Sequence, residues 1–351
     1  MPKGDKMASP EAKNSEKQQI NPSYEQWKNL GQQHDDYCDA EEYLSNRLEQ
    51  PKMNDIIQTL VKNFINIDPK KFSKGSDLED IFYSEMRYDE KSAGKINRSD
   101  LAKFYADVAK DCREGANRGI ERDITFDHFK SWHILGGEKI HDGEMTHRIY
   151  INSRADNLMA FVGAVYSQFK KDDVPFYFKI HTSDAEKGPK DSFVLYTSSE
   201  HLSKTIDALE QAGKKHPEII EGLNDPPEIC GKLGERWLGY ASEPNDNPEH
   251  SYTSYICKFF TDTLEEQTKR WAENNPQVTV GGQNILEYID IESTTLDQYR
   301  SRLQILLNQI PKVDKNYVRD FRKTFAHKLS EQGFDPNNMC LTPYARRDLR
   351  L

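Results

Sequence analysis

The chain has 351 residues, with 48 Lys and Arg against 58 Asp and Glu for a formal net charge of -10, a length that holds two domains or one core with an extension and a balance that argues against a general nucleic-acid binder. Five cysteines (Cys38, Cys112, Cys230, Cys257 and Cys340), odd in number, widely spaced and without a C-x-x-C pair, support neither a disulfide framework nor a zinc site and fit a reducing compartment of synthesis. No apolar run approaches the roughly 18 residues that span a bilayer, and the opening residues lack the apolar centre of a secretory signal peptide, so a soluble protein without a membrane partner is expected.

Residues 1–22 are rich in Lys, Ser, Gln, Asn and Pro and read as a disordered tail, because they offer too little apolar surface to offset the entropy of ordering. From residue 23 to about 122 the pattern is helical and local. Tyr24, Trp27 and Leu30 begin it, followed by Tyr37, Tyr43 and Leu44. Ile56, Ile57, Leu60, Val61, Phe64 and Ile65 then recur at helical spacing, as do Leu78, Ile81 and Phe82, and Leu101, Phe104, Tyr105 and Val108. Between two of these helices, Asp89 to Asp100 has the Gly and Ile of a calcium-binding loop. Lys91 and Ala93 stand where oxygen ligands are needed, however, and Asp100 is a short closing carboxylate, so the segment reads as a Gly-containing turn. The T-F-D-H-F-K-S-W-H-I-L run fits a strand or a short helix, and G-G-E-K-I-H-D-G-E a loop or hairpin.

Residues 147–214 carry the clearest pattern: three short alternating strands (HRIYINSR, VPFYFKIHTSD, DSFVLYTSS) with an amphipathic helix after the first and another after the third. Alternation sends Ile149, Ile151, Phe176, Phe178, Ile180, Phe193 and Leu195 to one face. Leu158, Phe161, Val162, Val165 and Phe169, with Leu202, Ile206 and Leu209, give the helices apolar sides to cover it. The other face carries Arg148, Tyr150, Asn152, Tyr177, Lys179, His181, Ser192, Val194 and Tyr196. Nothing local covers this second face, and antiparallel sheets commonly have one wet side. Downstream, N-D-P-P-E-I-C-G-K-L-G-E-R-W-L-G-Y is Pro- and Gly-rich and reads as a loop with Arg236 near its end. Helices follow from Tyr252 to Trp271 and around 295–310 and 315–332, the last closing at Gly333. The expected fold is α+β: a small, largely antiparallel sheet with flanking helices, divided as a tail (1–22), a helical N-terminal region (23–135) and an α+β domain (136–345).

Several blocks in order resemble one family. R-I-Y-I-N at 148–152, F-K at 178–179, K-D-S-F-V-L-Y at 190–196 with its following helix, G-Y-A-S-E at 239–243, the His250-Ser251 region leading into a helix and E-Q-G-F-D-P-N-N at 331–338 are similar to the C-terminal domain of the HopA-type type III effectors of plant-associated bacteria, over about residues 145–341. The resemblance implies synthesis in a bacterial cytoplasm, with the N-terminal tail as an uncleaved secretion signal and delivery into a host cell. Relatives in lanthipeptide gene clusters, taken to eliminate phosphate from phosphoserine or phosphothreonine, and the more distant phosphothreonine lyase effectors imply a β-eliminating site.

Such an elimination needs a base for the α-proton, cations for the phosphate and an acid for the leaving oxygen, and neither a metal nor a cofactor. Lys179 is the candidate base, because desolvation beside Phe178 and Ile180 and a like charge at Arg148 would favour its neutral form. The resemblance points to the same residue. Arg148, with Lys187 or Lys190 and Arg236, would hold phosphate, and Tyr196 would donate to a phosphate oxygen. The lyases have Lys-x-His on the first strand where this chain has Arg148-Ile149-Tyr150, so Tyr150 or His181 is the candidate acid. A phosphorylated peptide or protein is the expected substrate. The rival readings are a non-enzymatic effector that binds a host protein or a secretion chaperone, and a lanthipeptide precursor maturation enzyme.

Overall fold

A computed structural model of the chain describes residues 43–334 apart from 45, 75–76, 114–116, 125–129, 137–146, 183–187, 235–236, 243–250, 291–294 and 333. The proposed disordered tail, the Tyr24–Tyr37 stretch and Gly333 lie outside these residues. After a two-residue strand β1 (Leu48–Glu49), the first helices follow the apolar spacing read from the sequence. Helix α1 (Met53–Ile65) buries Met53, Ile56, Ile57, Leu60 and Phe64, and α2 (Leu78–Arg87) buries Leu78, Ile81, Phe82 and Met86. A short strand β2 (Tyr88–Asp89) leads through the Gly94 turn, where φ is +144°, into α3 (Arg98–Arg113).

The sheet is built from β3 (Asn117–Ile124), β4 (Lys130–Gly136), β5 (His147–Ser153), β6 (Phe176–Thr182), β8 (Phe193–Thr197), β9 (Leu223–Asn224), β10 (Gly231–Leu233), β11 (Leu238–Ser242) and β1. Its order is β1-β10-β11-β5-β8-β6-β4-β3, with β9 pairing the end of β5, and every pairing is antiparallel. Helices α4 (Ala155–Asp172) and α5 (Leu202–Lys215) lie against the apolar face. Phe161 of α4 meets Phe193 edge-on at 5.5 Å, and Phe193 lies 5.1 Å from Phe178 across the strand pair. A short α6 (Pro217–Ile220) follows, then a long α7 (Tyr252–Asn274), a small β12–β13 ribbon (Thr279–Val280, Gln283–Asn284), α8 (Ile285–Ile289), α9 (Leu296–Val313) and α10 (Lys315–Glu331). Phe82 joins α2 to the rest through Phe64 at 5.5 Å and Phe260 of α7 at 5.2 Å, and Phe260 reaches Phe321 of α10 at 5.6 Å. The α+β class therefore holds, with a larger sheet than three local strands suggest.

Three elements differ from the sequence reading. Residues 117–122 belong to strand β3, within a stretch read as helical. In the sequence Ile120 and Ile124 are four residues apart, a spacing that fits both the helical and the strand period, so periodicity could not separate the two. The Pro- and Gly-rich segment read as a loop holds the β10–β11 hairpin. Its Gly239 marks a close approach, since a Cβ there would lie 2.6 Å from Pro226. Finally, the polar sheet face is roofed. Strand β2 pairs with β7 (Gly188–Pro189), the Lys190 amide donates to the Arg87 carbonyl at 2.8 Å, and this clip draws α2 over the sheet.

Candidate functional site

Strand register decides which side chains share the polar face. Arg148 on β5 is opposite Tyr196 on β8, which is opposite Tyr177 on β6; in the next row Tyr150 faces Val194 and Val194 faces Lys179. Ile149, Phe178 and Leu195 are fully buried on the other side. The Arg148 guanidinium carbon lies 4.8 Å from the Tyr196 ring centre, and Tyr196 stacks on Tyr177 at 4.8 Å. Tyr150 and Lys179 stand two strands apart, roughly 10 Å between backbones at normal strand spacing. The Val194 side chain lies between them on the cavity floor.

The roof has two parts. Glu79, Asp80, Tyr83, Met86 and Arg87 come from α2, and Ser251, Thr253 and Ser254 from the first turn of α7. With the floor and with Lys190, Asp191 and Pro227 they enclose a cavity of about 430 Å³, within the range of small-ligand sites. Helix α7 starts where it does because Ser251 caps it, its side chain accepting the Ser254 amide at 3.2 Å. The positive end of this 23-residue helix therefore faces the cavity, where a helix N-terminus favours an anion.

Charge within the cavity is mixed but ordered. Arg87 donates from Nε to Asp191 Oδ1 at 3.1 Å, its Nη2 lies against the His181 ring at 2.6 Å from Nε2 and 3.5 Å from Nδ1, and its guanidinium is near the rings of Tyr83 and Tyr88 at 5.9 and 5.6 Å. Burial works against its charge, yet Asp191 and the two phenols outweigh that and raise its pKa. Burial pushes the Tyr83 phenol up as well, opposed by Arg87. Glu79 accepts a hydrogen bond from the Ser254 hydroxyl at 3.2 Å. With Asp191 held by Arg87, the lining cations Arg148, Lys179 and Lys190 face the carboxylates Glu79 and Asp80. Among the described residues no cluster of three or more His, Cys, Asp or Glu side chains is arranged to hold a metal ion.

Of the residues nominated from sequence, Arg148, Tyr150, Lys179, His181, Lys190 and Tyr196 line this one cavity. Lys187 and Arg236 lie outside the described residues. Sequence reasoning missed Arg87, Tyr83, Glu79, Asp80 and Asp191. Arg87 is an unexceptional last-turn helical arginine in the sequence, and only the β2–β7 clip brings it to the site. Ser251 was legible in principle, as a serine directly ahead of an apolar-periodic run.

The family model described as the HopA1 effector protein family matches residues 134–341. Among solved structures, the effector protein from Pseudomonas syringae pv. syringae strain 61 is similar at 13% identity and a TM-score of 0.51, over 83% of this chain and 97% of that one. The effector protein from Pseudomonas syringae pv. tomato strain DC3000 is also 13% identical, with a TM-score of 0.46 over 82% of this chain and 98% of that one. At that identity the likeness to the strain 61 protein speaks for the fold alone. A comparison with curated proteins gave no match.

Proposed function

This chain belongs to the HopA1 effector protein family, and from that premise we propose that it is a type III effector, delivered into a host cell, whose roofed pocket binds a phosphorylated serine or threonine and eliminates the phosphate. One observation supports the reading above the others: Arg148, Tyr150, Lys179, Lys190 and Tyr196 share a single cavity with the N-terminus of α7. That combination suits a dianionic group carried on an extended peptide. In the proposed reaction the neutral Lys179 amine takes the Cα proton. The C–H electron pair becomes the Cα=Cβ double bond, and the Cβ–O bond breaks so that phosphate departs with its bridging oxygen. Arg148 and Lys190 hold the phosphate and spread the developing charge, and Tyr150 or His181 gives the leaving oxygen a proton. The roughly 10 Å between the Lys179 and Tyr150 backbones suits this division, with base and acid on opposite sides of the reacting bond.

Mass spectrometry of a phosphopeptide panel tests it. The expected product carries dehydroalanine or dehydrobutyrine and is one water lighter than the unphosphorylated peptide. Lys179→Ala should abolish it while leaving the fold intact. Arg148→Ala should mainly raise KM, since a phosphate cation acts in both ground and transition states. Hydrolysed product would make the protein a phosphatase. Binding without any product would favour the non-enzymatic effector, which uses the same surface to hold a host protein.

A further inference from the structure

The cavity presents charge of both signs, and the two ends of its α2 wall differ. Glu79, Asp80, Tyr83, Met86 and Arg87 follow one another at helical spacing and all line it, so they form one wall that runs from Glu79 to Arg87. Eight residues of helix rise about 12 Å. The Arg87 end is the cationic one: Lys190 is tied there by its amide, which donates to the Arg87 carbonyl at 2.8 Å, and Asp191 is already taken by Arg87 at 3.1 Å. The other end carries carboxylates. Glu79 meets a neutral donor, the Ser254 hydroxyl at 3.2 Å, and Asp80 is exposed at the rim. Among the described residues neither of them takes part in an ion pair. A bound phosphate dianion therefore shares the cavity with two further negative charges, a repulsion that costs affinity unless the ligand brings a cation of its own.

We propose that this pocket selects phosphopeptides with a lysine or arginine within about four residues of the phosphorylated serine or threonine, the basic side chain lying against Asp80 and Glu79 while Lys190 and Arg148 hold the phosphate. An extended peptide advances about 3.3 Å per residue, so a wall of about 12 Å corresponds to three or four residues. The same wall acts against the wrong partner, because an acidic residue at that place would meet two carboxylates with no counter-charge. This selectivity rests on the reading of the cavity as a phosphopeptide site and is independent of the chemistry that follows binding.

The test measures binding of the full chain to fluorescein-labelled phosphothreonine peptides of one sequence, with lysine, alanine or glutamate placed in turn at each position up to four residues either side, at low and at high salt. At the best position the lysine peptide should bind about fivefold tighter than the alanine peptide, the upper end for one half-exposed ion pair, and the glutamate peptide more weakly than both, with the gap closing at high salt. Asp80→Asn should remove most of the preference. Asp80→Lys should invert it in favour of glutamate, a gain that a misfolded protein cannot produce. Equal affinity across the panel, or a preference unchanged in Asp80→Lys, overturns the proposal. So does a lysine preference just as large in the unphosphorylated peptides, which would be the pull of the chain's net charge of -10. The same mixtures are read by mass spectrometry. A flat panel that still yields dehydrated product sinks the selectivity and leaves the lyase reading standing; a lysine preference without any product upholds the selectivity and sinks the lyase. Binding of no phosphopeptide at all overturns both.

Discussion

Two residues of β5 separate stability from chemistry within one strand. His147 is enclosed, with Nδ1 at 2.7 Å from the Tyr240 hydroxyl and Nε2 at 2.9 Å from the Ser199 hydroxyl, so both nitrogens of the neutral ring are satisfied. Burial lowers its pKa from 6.5 to about 4. The unfolded chain therefore binds this proton first on acidification. The stability linked to His147 is complete above pH 6.5, is lost as pH falls from 6.5 to about 4, and changes no further below that. The loss amounts to about 3 kcal/mol. Denaturant midpoints measured across that window should fall more steeply for the wild type than for His147→Gln. Tyr150, three residues on and 3% exposed, is by contrast a nominated acid of the proposed reaction. Tyr150→Phe keeps the ring and removes only the hydroxyl, so turnover should drop on the order of a hundredfold or more while the melting midpoint barely moves. Wild-type kinetics in the phenylalanine variant would remove Tyr150 from the acid role.

Among the elements, the two-residue clip between β2 and β7 has an influence out of proportion to its length. A Cβ on Gly188 would lie 1.9 Å from the Ser92 carbonyl oxygen, a backbone atom that cannot step aside cheaply. Gly188→Ala should cost about 2 kcal/mol through that forced shift. It should also weaken phosphopeptide binding, because the roof is held by the same pairing; calorimetric melting and titration on one preparation read both effects. Strands β5, β6 and β8 and helices α4 and α5 were legible in the sequence because each writes its own period: Ile149 and Ile151, Phe178 and Ile180, Leu158 and Phe161 alternate or recur with the face they bury. The floor of the site was legible for the same reason. The roof was not. Glu79, Tyr83 and Arg87 occupy the side of α2 away from Ile81 and Phe82, where sequence shows only polar helix surface. The clip that turns this side toward Lys179 depends on a glycine pairing across a hundred residues, which leaves no periodic trace. The β10–β11 hairpin stayed hidden because its glycines read as breakers, whereas Gly239 is there for close packing against Pro226 and Gly234 takes a φ of +38°.

For the whole molecule, the buried apolar residues form one cluster that runs from Leu44 to Phe334, and α9 binds the N-terminal helices into it with polar as well as apolar groups. Gln304 is 7% exposed and donates to the Phe64 and Ile67 carbonyls at 2.7 and 3.0 Å, and Arg300 donates to the Phe72 carbonyl at 3.3 Å. Gln304→Leu would take the side-chain donor from both carbonyls, of which Phe64 keeps the Ile67 amide at 3.3 Å, and should cost about 2 kcal/mol. The loss should lower the midpoint of a single unfolding transition, with calorimetric and van't Hoff enthalpies in agreement; two separate transitions would mean that the N-terminal helices melt on their own. The pocket draws on residues 79–87, 148–196 and 251–254 of this one core, with Pro227 between the last two. During synthesis the first half of its roof leaves the ribosome well before its floor, and the helix end that completes the roof comes last. A nascent or truncated chain that stops short of residue 254 has the nominated base and cations but no complete roof over them, so the proposed chemistry would wait until the first 254 of the 351 residues are made.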